Sequence, residues 1–127
     1  MSKFGECALK SLKLILEDNS LTPREAWQIV SIELFGEGTS SQRKVCPKST
    51  FLGLCEEGLV KGIEKGKYTA SKKNKYYGLT AVGILEKNMH KIFEAEELWS
   101  LVTDNKEHDG QMDIVLELWE NGMIFKK

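Results

Sequence analysis

Apolar side chains recur at helical spacing along most of this chain, and each run stops at recognisable helix punctuation. Over residues 3–17, Phe4, Ala8, Leu12 and Ile15 form one stripe, which Leu9 and Leu16 widen. Asp18-Asn19-Ser20 ends it. Thr22-Pro23-Arg24-Glu25 opens the next run, with a capping threonine, a proline at the first helical position and a glutamate at the third. Ala26, Trp27, Val30 and Leu34 follow on one face, Ile29 widens it, and Gly36 closes the helix predicted over 23–35.

Residues 36–46 are a polar connector in which Ser40 or Ser41 can cap one short turn. Pro47 opens a third helix, 47–57, which ends at Glu57-Gly58 with Leu59 placed to pack back on the last turn. Glu120-Asn121-Gly122-Met123-Ile124 repeats that ending, which reads as the same cap chemistry used twice and not as a sequence repeat. The terminal helix is predicted over 111–120 with Met112, Val115, Leu116 and Trp119 inward. Another helix, 94–103, carries Leu98, Trp99, Leu101 and Val102, and its first turn holds Glu94, Glu96 and Glu97 at the positive end of the dipole. Trp27, Trp99 and Trp119 each fall on an apolar face and are expected in or near a shared core.

The stretch 59–87 has two readings. In one, Leu59–Ile63 and Lys75–Leu79 pair as a small β-hairpin, with Thr80 capping a helix to Lys87. In the other, Ser71 caps a single helix from Lys72 to Lys87, and Gly78 and Gly83 inside it cost about 1 kcal/mol each relative to alanine. The helix is preferred because its apolar spacing continues unbroken.

The 127 residues fit one domain, and 41% hydrophobic with 29% charged residues is ordinary for a globular protein. No apolar run approaches the roughly 20 residues of a membrane span. The N-terminus shows no basic region leading into an apolar one, so no signal peptide is expected. Three cysteines, Cys7, Cys46 and Cys55, an odd number, point to a reducing cytoplasm. Their spacing, with His90 and His108 far along the chain, does not match a zinc site, so no metal or cofactor is expected.

Net charge is −1, but its distribution is uneven. Residues 1–40 hold 4 basic and 6 acidic side chains, residues 41–79 hold 9 and 3, and residues 80–127 hold 5 and 10. The +6 middle segment interleaves lysines with Tyr68, Tyr76 and Tyr77, as suits phosphate contact and base stacking. A solvated lysine-rich loop is the competing reading.

Tyr76-Tyr77-Gly78-Leu79-Thr80-Ala81-Val82-Gly83-Ile84-Leu85 resembles the second wing strand and following helix of bacterial winged-helix regulators. That resemblance implies a helix-turn-helix-like first half, a wing hairpin and DNA binding. Over nearly its whole length the chain also resembles a family of small uncharacterised bacterial proteins. Cys46-Pro47 with Phe51-Leu52-Gly53-Leu54-Cys55, Gly58-Leu59-Val60-Lys61-Gly62-Ile63, Ser71-Lys72-Lys73-Asn74-Lys75 and Gly110-Gln111-Met112-Asp113 carry this likeness, which implies no activity.

Helix 47–57 would occupy the recognition position. Opposite its apolar Phe51, Leu52, Leu54 and Cys55 it presents Ser49, Thr50, Gly53, Glu56 and Glu57, with no arginine for guanine. The candidate nucleic-acid contacts are therefore Arg43, Lys44, Lys48, Ser49, Thr50, Lys65, Lys67, Lys72, Lys73 and Lys75, acting mainly on phosphate.

No nucleotide-loop, dinucleotide-binding or zinc-protease motif occurs. His108-Asp109 is the most site-like pair, and Asp109 reads as the cap of the last helix with Gly110 beginning it. The expected architecture is one mainly α domain of five or six helices, with a helix-turn-helix-like first half and at most a small β-hairpin between 59 and 79. The expected function is a non-enzymatic nucleic-acid-binding accessory or regulator contacting DNA or RNA. A protein-interaction module, including a homodimer, is the alternative.

Overall fold

The computed structural model describes residues 2–125. Lys126 and Lys127, counted in the acidic C-terminal segment, and Met1 lie outside the described residues. Six helices form where apolar periodicity puts them: α1 (Lys3–Glu17), α2 (Pro23–Phe35), α3 (Val45–Glu56), α4 (Lys72–Lys87), α5 (Ala95–Val102) and α6 (Gln111–Glu120). The capping box of α2 is complete. Thr22 Oγ1 accepts from the Glu25 N–H at 3.2 Å, and Glu25 Oε1 accepts from the Thr22 N–H at 3.0 Å. Helix α3 starts two residues before Pro47, which therefore sits in the first turn, where its missing N–H costs no helical hydrogen bond. Ser71 caps α4, which runs unbroken to Lys87.

No β-hairpin lies between 59 and 79; this corrects the wing expectation. The β-type pairing among the described residues is a single antiparallel bridge between Val60 and Ile124. Its origin is the twin glycine ending. Gly58 (φ +75°) and Gly122 (φ +71°) adopt the left-handed conformation that favours glycine. The Gly58 and Leu59 N–H groups donate to the Cys55 and Leu54 carbonyls, and those of Gly122 and Met123 donate to Trp119 and Leu118. Both are Schellman turns. The two outgoing segments then pair, as Lys61 N–H donates to Met123 O and Phe125 N–H to Leu59 O, each at 2.8 Å. The apolar segment after α3 thus finds its partner across the molecule, not down the chain.

Between α2 and α3, where a helix-turn-helix places a turn of about three or four residues, the chain runs through a longer connector. The connector, residues 36–44, folds around buried Gln42. Gln42 Oε1 accepts from Gly38 N–H, and its Nε2 donates to Ser31 Oγ, both at 3.2 Å.

Helix α3 lies at the centre, with α4, α6 and α2 against it. Helix α1 packs on α2 and α6, and α5 packs on α4 and α6. Every residue from Ser49 to Cys55 is buried, on the expected polar face as well as the apolar one. Two glycines allow α4 this close. A Cβ on Gly53 would lie 2.6 Å from Lys75 Cβ and 2.7 Å from its Cα, and one on Gly78 would lie 3.1 Å from Thr50 Cγ2. Gly78, read from sequence as a cost to the helix, is buried in close contact with Thr50 and Leu54 of α3. Gly83 meets nothing within 4 Å, and nothing in the structure explains it.

Trp27 packs on Phe51 with ring centroids 5.5 Å apart, and Trp99 meets Tyr77 edge-on at 4.9 Å. Both tryptophans are buried. Trp119 and Leu116 are only half-buried, while Ile114 and Leu118 fill the core in their place. Leu16, Ile29 and Leu101, expected on apolar faces, are exposed. No helix of the described residues is long and apolar enough to cross a membrane.

Two stability outcomes follow from this packing. Gly53→Ala should destabilise the fold by about 1–3 kcal/mol through overpacking against the α4 backbone, read as a lower urea midpoint. Trp27→Ala should cost about 3–5 kcal/mol and Trp119→Ala clearly less. Equal losses at the two tryptophans would contradict the half-buried position of Trp119.

Candidate functional site

The sequence-selected residues do not form one surface. Ser49 and Thr50 are buried and cannot touch a macromolecule. Thr50 Oγ1 lies 3.0 Å from the Cys46 carbonyl and 3.3 Å from the Asn74 carbonyl, so its one O–H proton is shared between them and its hydroxyl bridges α3 and α4. The small polar side chain of Thr50 fits the tight α3–α4 contact, which a helical projection of α3 alone does not reveal. Burial of α3 also removes it as a recognition helix. Lys75 is held by Glu56 and Glu57 at 2.7 and 2.6 Å, and Lys44 is held by Asp109. Lys48 is half-buried, and its ammonium pKa is lowered by desolvation first and by neighbouring Arg24 second.

Arg43, Lys65, Lys67, Lys72 and Lys73 remain exposed. Among the described residues none of them has a carboxylate at ion-pair distance. Lys67 and Lys72 flank a groove of about 480 Å³ that also includes Thr69, Ala70, Ser71, Tyr76 and Leu79. Tyr76 is 61% exposed, which makes its ring a surface and not core.

Glu56 shapes the loop that carries Lys67. Its Oε1 accepts the backbone N–H groups of Tyr68 (2.8 Å) and Thr69 (3.2 Å), while Oε2 accepts from Lys75. Arg24 Nη1 donates to the Tyr68 carbonyl at 3.2 Å from the α2 side. The lysine-rich loop is therefore anchored at Tyr68 and Thr69 by side chains from both α3 and α2. Sequence reasoning missed Glu56 and Arg24 in this role. Arg24 was visible only as part of the α2 capping signal, and Glu56 lies 12 and 19 positions from its partners.

Lys73 lies on a second cavity, about 390 Å³, with Cys46, Asn74, Tyr77, His108, Asp109 and Gln111 among its lining. Here the expected cap is corrected. Asp109 pairs with Lys44, and Gly110 is the N-cap residue of α6, with a left-handed backbone (φ +85°). His108 does the capping: its Nε2 accepts the Met112 N–H at 3.0 Å, which assigns the ring proton to Nδ1, 3.2 Å from Glu96. An imidazole whose lone pair already caps a helix is not poised as a general base. Asp113, in the first turn of α6, has its carboxyl pKa raised, chiefly by burial. Among the described residues no three His, Cys, Asp or Glu side chains gather as a metal site, and all three cysteines are free thiols.

The Glu56 carboxyl is depressed to about 2, first by Lys75 and then by the Tyr68 N–H. A depressed carboxyl pKa gives stability above its ordinary value that is lost as pH falls. Stability should therefore decline from about 4.5 towards about 2 as this group protonates. Denaturation midpoints measured across that window should fall less steeply in Glu56→Gln, and identical slopes would show that the anchor contributes nothing.

Comparison with known proteins finds no match among curated proteins and none among solved structures. A family model does match, over residues 1–125, and its description is a family of unknown function, DUF6979. The chain belongs to that family.

Proposed function

We propose that this protein is a non-enzymatic nucleic-acid-binding accessory or regulatory protein of the cytoplasm, gripping phosphate and leaving base edges in the major groove unread. The observation that supports this reading is the first turn of α4. Lys72 and Lys73 stand there exposed, and the turn holds no acidic residue. Helix dipoles favour anions at that end, so two cations there raise the local positive potential. Lys67, which lines the same groove as Lys72, adds to it from the neighbouring loop. Counterion release on meeting phosphate is the natural driving force for such a surface. Free thiols at Cys7, Cys46 and Cys55 fit a reducing compartment.

A second reading, a protein-interaction module or homodimer, rests on Ile92, which is 86% exposed, with Met89 and Leu101 also exposed. Sedimentation at rising salt separates the two readings. A salt-insensitive dimer favours the apolar contact.

The test of the first reading is fluorescence anisotropy with labelled oligonucleotides at about 50 mM salt. Replacing Lys67, Lys72 and Lys73 together by alanine should weaken binding at least tenfold. It should also flatten the dependence of log K on log salt by about 0.7–0.9 per lysine lost. No affinity at low salt, or an unchanged slope, would overturn the reading.

A further inference from the structure

We infer that the groove beside α4 takes single-stranded nucleic acid, with Tyr76 as the platform on which a base stacks; this rests on the phosphate-binding reading above. Lys72, Tyr76 and Leu79 are spaced i, i+4 and i+7, so α4 presents all three along one stripe. Lys67 lines the same groove, on the loop anchored by Glu56 and Arg24. The Tyr76 ring is mostly exposed, its nearest aromatic neighbour is Tyr77 at 6.4 Å between centroids, and its hydroxyl makes no hydrogen bond among the described residues. Glu56 also borders the groove, but its carboxylate is taken up by Lys75 and two backbone N–H groups, so it does not repel an incoming anion as a bare carboxylate would.

Cations and an exposed aromatic face lining one groove are the two parts of a sequence-tolerant single-strand site. A duplex cannot use the second part, because its base faces are already stacked on one another. A groove of about 480 Å³ has room for a splayed base, being within the size range of small-ligand clefts. The central helix α3, buried throughout its middle, offers no major-groove alternative.

The experiment compares a fluorescein-labelled oligothymidylate of about 12 nucleotides with a duplex of the same length, for the wild type and for Tyr76→Ala and Tyr76→Trp. An oligouridylate of equal length separates RNA from DNA through the 2′-hydroxyl. The wild type should prefer the single strand by about tenfold or more. Tyr76→Ala should lose about tenfold in single-strand affinity with the duplex affinity unchanged, and Tyr76→Trp should retain it. Because Tyr76 is exposed, unchanged thermal melts will exclude unfolding as the cause. Equal affinity for the two forms, or no effect of Tyr76→Ala while the lysine variant still weakens binding, overturns the single-strand inference and leaves the phosphate reading standing. No affinity for any of the three probes removes both.

Discussion

A methyl group on Gly53 would lie 2.6 Å from the Lys75 side chain. That close approach of α3 and α4 controls much of what surrounds it. It brings Lys75 within reach of both glutamates at the end of α3, and Glu56 then has its second oxygen left to bind the Tyr68 and Thr69 N–H groups. The loop between the two helices has no regular structure of its own. The Gly58 turn and the Val60–Ile124 bridge fix its start, and the paired Glu56 carboxylate fixes Tyr68 and Thr69 near its end. An exposed salt bridge is usually worth little, but this one is largely shielded, with side-chain exposures of 19% and 15%, and it also satisfies two backbone donors.

The same crossing explains the polar groups in the interior. Thr50, Asn74 and Gln111 come from α3, α4 and α6, and all three are buried. Thr50 donates to the Asn74 carbonyl, Gln111 Nε2 donates to Asn74 Oδ1 at 3.3 Å, and the Asn74 amide donates to Ser71. A buried polar group without a partner costs about 1–3 kcal/mol, so a chain of satisfied ones restricts how the three helices can pack. The buried Trp99 indole N–H has no hydrogen-bond partner among the described residues and carries part of that penalty.

Helix positions were legible because their signals are local. Capping boxes, glycine stops and apolar spacing act over four to seven residues, and α1, α2, α4 and α6 begin and end as read. What was not legible depends on distance along the chain. The partner of Val60 is Ile124, and the partners of Lys75 and Lys44 are Glu56 and Asp109. Ser49 and Thr50 looked like surface residues because a small polar side chain reads the same on a wet face and in a tight helix contact. The α6 cap was misassigned for a different reason: aspartate is the usual capping residue, and here the imidazole one position earlier has the better reach.

The charge argument changes most when read through the fold. The +6 segment is not a uniform basic surface. Lys44 stands at the N-cap of α3 and Lys75 in the early part of α4, both near the positive end of a dipole, and each has been answered by a carboxylate. Lys72 and Lys73 stand at the same end of α4 and have not. Each misplaced cation costs roughly 0.3–1 kcal/mol at low ionic strength. Lys73 lies over the Tyr77 ring at the second cavity, 5.9 Å from its centroid, whereas Lys72 shares the groove of exposed Tyr76 with Lys67, unpaired among the described residues, and an external anion bound in that groove would relieve the charge there.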